Sequence, residues 1–110
     1  MSEDEKSIEY ELVYYDLVNV TAAHIHLGKD GYVGGVAVWL CGGPKPNCPP
    51  SGTRTSGKIT AEDVVAIETQ GLKAGDLSSL IAAIRSGSAY VNVHTTAYPA
   101  GEIRGQLVAP

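Results

Sequence analysis

Three segments of this chain alternate between aliphatic and polar residues with a period of two. They are Ala23-His24-Ile25-His26-Leu27, Tyr90-Val91-Asn92-Val93-His94 and Glu102-Ile103-Arg104-Gly105-Gln106-Leu107. A helix would scatter such a pattern around its axis. A strand sends successive side chains to opposite faces, so the same pattern yields one apolar face and one polar face. The chain is therefore expected to build a β-sheet with one side on a core and polar groups gathered on the other.

The remaining elements follow from turn and cap signals. Ile8 to Leu17 reads as a first strand and Thr21 to Leu27 as a second. Lys29-Asp30-Gly31 is a turn signal, and Tyr32 to Leu40 reads as a third strand with two apolar faces. Arg54 to Ile59 is a short fourth strand, Ala89 to His94 another, and Glu102 to Val108 the last, after a turn at Tyr98-Pro99-Ala100-Gly101. Thr60-Ala61-Glu62-Asp63 looks like a helix start, with one turn reaching to Ile67. Asp76 to Ser86 is the clear helix: Leu77, Leu80, Ile81 and Ile84 form a stripe, Asp76 caps the start and Gly87 ends it. With 13 Gly and 6 Pro the chain suits short strands. The expected class is all-β: a Greek-key or immunoglobulin-like β-sandwich or barrel of about 5–8 strands with one short crossover helix.

At 110 residues the chain is long enough for one core, with a thin margin. Residues 8–110 are expected to form that single domain, and the acidic start, residues 1–7, to be a disordered tail. Eight basic residues stand against twelve acidic ones, a net charge of −4, and no basic cluster occurs. That argues against nucleic acid as a partner. No apolar run approaches the roughly 20 residues of a membrane span, and no lipidation motif is visible. Met1 leads directly into Ser2-Glu3-Asp4-Glu5. This reads as a start codon placed on a mature chain whose signal peptide has been removed, although a cytosolic protein looks the same at this end.

The two cysteines bound the segment Cys41-Gly42-Gly43-Pro44-Lys45-Pro46-Asn47-Cys48. A disulfide between them closes a small ring worth about 2.5 kcal/mol in the chain-entropy model, and it implies an oxidising compartment. The other reading is a two-thiolate metal clip, for which the spacing is wider than in common zinc sites.

The histidines are three: His24, His26 and His94. Strand parity puts His24 and His26 on one face, and it puts Tyr90, Asn92 and His94 on the polar face of a second strand. Glu102, Arg104 and Gln106 share the polar parity of a third. If these strands are neighbours, all three imidazoles lie on one surface, with Tyr90, Asn92, Glu102 and Arg104 close by. Three convergent neutral imidazoles form a nitrogen-type transition-metal site, for which copper outcompetes zinc. Zinc is the alternative metal. Arg104 is then placed to guide a small anion. The competing reading is a polar network that orders the sheet of an extracellular interaction module, with no metal. Asn19-Val20-Thr21 is an N-glycosylation sequon. No nucleophile–base set for a hydrolase is apparent, and the sequence leaves enzymatic activity undecided.

These blocks together carry a family resemblance. Val20-Thr-Ala-Ala-His-Ile-His-Leu-Gly28, Gly57-Lys-Ile-Thr60, Tyr90-Val-Asn-Val-His-Thr95 and Pro99-Ala-Gly-Glu-Ile-Arg-Gly-Gln-Leu107 resemble the CHRD domain, over roughly residues 8 to 108. The resemblance implies an extracellular or cell-surface β-domain, secreted in microbes and part of a growth-factor antagonist in chordin. An extracellular protein partner is the partner class it implies. Its hallmark positions fall on His24, His26, Asn92, His94, Glu102, Arg104 and Gln106, while the Cys41 to Cys48 loop looks like a local insertion. A looser likeness links the H-x-H strand, late histidine and arginine to copper–zinc superoxide dismutase, without the further histidines of a bridged zinc site. Exposed strand edges make a homodimer possible in principle, and nothing in the sequence specifies one.

Overall fold

The structure is a computed structural model that describes residues 6–29, 33–99, 101 and 103–107. Its strands are β1 (Ile8–Leu12), β2 (Val20–Leu27), β3 (Val36–Cys41), β4 (Thr55–Ile59), β5 (Ala89–Thr95) and β6 (Ile103–Gln106), with one helix, α1 (Leu77–Arg85). The class is all-β, as the sequence implied. β1 and β4 form an antiparallel pair. The other strands form a four-stranded antiparallel sheet in the order β3-β2-β5-β6.

Alternation in β2 and β5 sends Ala23, Ile25 and Val93 inward, where each is buried. With Ile25 cluster Ile8 and Ile59 of the small sheet together with Leu77, Leu80, Ile81 and Ile84 of α1. A second cluster gathers Tyr14, Leu17, Ala23, Cys41 and Val93. The helix stripe is the one read from the sequence. Asp76 caps it, its Oδ1 accepting from Ser79 N–H at 3.1 Å.

The first strand is shorter than expected, ending at Leu12 rather than Leu17. In a straight strand Tyr14 and Leu17 would point to opposite faces, yet both enter the second cluster. The chain therefore leaves the ladder. Asp16 and Asn19 take left-handed φ values of 59° and 55°. Their neighbours are tied to the loop after the cysteines, with Gly52 N–H donating to Tyr14 O at 2.7 Å and Leu17 N–H to Ser51 Oγ at 3.0 Å. The third strand begins at Val36 rather than Tyr32. Gly34 approaches β2 so closely that a Cβ there would lie 1.3 Å from Leu27 O. The helix start expected at Thr60 is a single 3₁₀ turn, Ala61–Asp63, and a second such turn spans Glu68–Gln70. The last strand runs from Ile103 to Gln106; Glu102 and Val108, like residues 1–5 of the expected tail and Asp30, Gly31 and Tyr32, lie outside the described residues.

Cys41 and Cys48 are joined in a disulfide with Cα atoms 4.9 Å apart. Gly42 N–H donates to Pro46 O at 2.8 Å within the ring. Lys45 Nζ reaches Asp63 at 2.5 Å and fastens the loop to the turn before α1.

Candidate metal centre

Strand order decides whether the polar residues meet. β2 lies between β3 and β5, and β6 follows β5, so the polar parities of three strands form one continuous face. Cross-strand register puts His24 opposite Asn92 and His26 opposite Tyr90. Asn92 in turn stands opposite Arg104, and Tyr90 opposite Gln106. Ala22 faces His94 across the ladder, and its methyl group leaves room for the imidazole to lean towards His24.

The three imidazoles come together. One nitrogen from each of His24, His26 and His94 can be chosen so that all lie within 4.8 Å of one another. His24 and His26 are buried, at 6% and 8% exposure, while His94 is half-buried and opens the cluster to solvent.

Hydrogen bonds specify which nitrogens are bare. A carbonyl oxygen only accepts, so each ring nitrogen facing one must carry a proton. His94 Nδ1 donates to Pro99 O at 2.8 Å, leaving Nε2 without a proton in the neutral ring. His26 Nδ1 donates to Gly34 O at 3.1 Å, leaving its Nε2 bare as well. His24 Nδ1 lies 3.0 Å from His94 Nε2 and is therefore the donor of that pair. Nε2 of both His24 and His26 is buried with no hydrogen-bond partner among the described residues, and so is Asn92 Oδ1. Buried acceptors left unpaired cost about 1–3 kcal/mol each, which marks them as groups awaiting a ligand.

Electrostatics keep these rings neutral. Burial, then the neighbouring His94 and His26, lower the His24 pKa to about 4. Burial also lowers that of His26; the bond to Gly34 opposes the shift, and His94 and Arg104 add to it. Lone pairs on both rings are therefore free of protons at neutral pH.

Around the histidines the aromatic groups are layered. The Tyr90 ring, 1% exposed, stacks on His26 with centroids 4.9 Å apart and planes within 6°. The Arg104 guanidinium carbon lies 3.5 Å from the Tyr90 centroid. Because β5 is the middle strand, Tyr90 stands between Arg104 and His26. Arg104 acts on the cluster through that ring and donates to Lys29 O at 3.1 Å. Gln106 Nε2 donates to Gly28, Gly87 and Ala89 carbonyls, at 3.2, 2.9 and 3.1 Å, so it ties the end of β2 to the start of β5 at one end of the sheet. Glu102 lies outside the described residues.

Three contributors were not singled out in the sequence. Trp39 packs edge-on against His24 with centroids 4.0 Å apart. Its register opposite His24 explains the contact, but the pairing of β2 with β3 had to be known first. The Gly34 peptide works twice, its C=O on His26 Nδ1 and its N–H donating to Tyr90 OH at 3.0 Å. Pro99 contributes a backbone carbonyl to His94, and main-chain atoms leave no signature in side-chain patterns.

A family model described as CHRD domain matches residues 1–107. No curated protein and no solved structure matches the chain.

Proposed function

The chain belongs to the CHRD domain family, and from that premise we propose that it binds one transition-metal ion, copper in preference to zinc, through His24, His26 and His94. The observation that carries this reading is the cluster of three imidazoles with bare, buried nitrogens. The hydrogen bonds favour Nε2 of His26 and His94 as ligands, each ring held by a carbonyl on its other nitrogen, an arrangement common among metal-binding histidines. For His24 they favour Nε2, the nitrogen that its Nδ1–H leaves bare, the bond from that N–H to His94 Nε2 giving way on binding. Copper follows from the affinity order for nitrogen ligands. Tyr90, Asn92 and Arg104 surround the ligands, with Tyr90 and Arg104 fixing the His26 ring.

A copper ion on three imidazoles with an open position supports one-electron chemistry on a small molecule such as superoxide. The half-buried His94 side is the route of access. The disulfide suits an oxidising compartment, and we place the protein outside the cytosol, secreted or at the cell surface.

The test is metal content. Untagged protein is loaded from a copper and zinc mixture, desalted and assayed by elemental analysis and paramagnetic resonance. One copper per chain with nitrogen hyperfine structure is expected, together with quenching of the only tryptophan, Trp39. Copper is expected to be lost in His94→Ala. Unchanged stoichiometry in that variant, or no retention by the wild type, would count against the site.

The His24–His94 bond at 3.0 Å supports a second reading. It is satisfied without metal, as in a polar network that orders an extracellular interaction module. That reading expects a melting temperature indifferent to chelator and a clear loss of stability in His94→Ala.

A further inference from the structure

We infer that Asn92 is a positioning residue for the open side of the metal centre, and that the position it guards takes a small ligand carrying a hydrogen-bond donor beside the metal. Water and hydroperoxide belong to this class; azide does not. The inference rests on the copper reading above and adds the chemistry of the fourth ligand.

Asn92 is the central residue of the polar face. His24 stands opposite it on one side and Arg104 on the other, with Tyr90 and His94 two residues away along its own strand. Its amide is hemmed in by the turn before β6: a Cβ on Gly101 would lie 2.1 Å from Oδ1. Gly101 has a φ of 121°, a conformation open to glycine. The chain thus packs bare backbone against this one amide.

Yet Oδ1 is buried and accepts from none of the described residues. The unpaired polar atoms sharing this face, Nε2 of His24 and of His26, are acceptors too. Acceptors cannot satisfy one another. Lone pairs on imidazole nitrogen are taken up by a metal ion, whereas an amide oxygen is best satisfied by an O–H or N–H. The group that completes this face therefore brings a proton. A metal-bound water donates to Oδ1, and a ligand with only lone pairs at that point meets repulsion instead.

The experiment uses copper-loaded wild type, Asn92→Ala and Asn92→Leu, with azide as probe and the azide-to-copper charge-transfer band as signal. The Leu variant removes the oxygen at nearly constant volume. Both variants are expected to keep one copper per chain and to bind azide about tenfold more tightly, the equivalent of one hydrogen-bond-sized penalty removed. Azide affinity unchanged or weakened in the Leu variant overturns the inference; tightening confined to Ala reports added space and overturns it too. Loss of copper from both variants also overturns it, because Asn92 would then be a ligand or a prop. If the wild type itself holds no copper, the metal reading has failed and this inference falls with it.

A second readout needs no metal. Removing an unpaired buried acceptor in Asn92→Leu is expected to raise the melting temperature of the metal-free protein. A lower melting temperature would show that Oδ1 is satisfied in the free protein and would overturn the assignment.

Discussion

The two faces of the four-stranded sheet are built from the same strands and each holds buried side chains, yet they are assembled on different terms. On the inner face Ala23, Ile25 and Val93 are at most 4% exposed and need nothing but close packing. On the outer face His24, His26 and Tyr90 are at most 8% exposed, and three polar atoms there have no partner among the described residues. Burying apolar surface stabilises a fold roughly in proportion to area, whereas burying an unpaired acceptor opposes it. The inner face therefore holds the domain together. The outer face draws on that stability to keep imidazole nitrogens dry and neutral.

The largest effect that would sharpen this contrast is on the core side. Leu80 is fully buried on the inward stripe of α1. Leu80→Ala is expected to lower unfolding free energy by about 3 kcal/mol, as cavity-forming core changes do. Urea denaturation measures it, and copper per folded chain should stay at the wild-type level. Copper loss from the folded variant would show that the two faces are not separable.

Next comes acid. The His24 pKa is lowered to about 4 in the folded protein, against about 6.5 for a free imidazole. The unfolded chain then binds more protons between these values, so stability rises with pH. The contribution is fully present above about pH 6.5 and is lost as pH falls through the folded value near 4. For metal-free protein the loss over that window is expected to be on the order of 2 kcal/mol. His24→Leu should flatten the profile. An unaltered slope would break the claim that the outer face is held neutral by burial.

Smaller effects lie away from both faces. Asp76→Ala removes the cap on α1 and should cost about 1 kcal/mol in thermal or urea unfolding. The Lys45–Asp63 pair is partly exposed, with side chains 38% and 18% accessible. Lys45→Met is expected to cost about 0.5 kcal/mol or less in the same assay. Neither change should alter copper stoichiometry. If Lys45→Met did, the disulfide loop would have to act on the centre through Trp39, whose ring lies against Gly43.

Much of this layout was legible in the residues. Alternation alone put His24 and His26 on one face, and Tyr90, Asn92 and His94 on another strand's polar side. Capping and the stripe through Ile84 located α1 to within a residue at each end. The path of residues 13–19 was not legible, because it depends on Tyr14 and Leu17 reaching a core built from distant segments. Arg104 looked from the sequence like a guide for an anion at the metal. The structure puts the Tyr90 ring between Arg104 and His26, a consequence of β5 lying between β2 and β6.

The sequence by itself determined what is local. Period-two alternation sets the faces of a strand, a capping aspartate and an apolar stripe set a helix, and a short interval lets two cysteines meet. These depend on neighbours a few residues apart, so side-chain order is enough. Tertiary structure alone decided strand order, and with it the meeting of His24 and His94 across 70 positions. It also decided which nitrogen of each ring is bare, because carbonyls of Gly34 and Pro99 hold the protons. Those outcomes rest on main-chain groups brought together by folding and on the exclusion of water, and neither is written in the order of side chains.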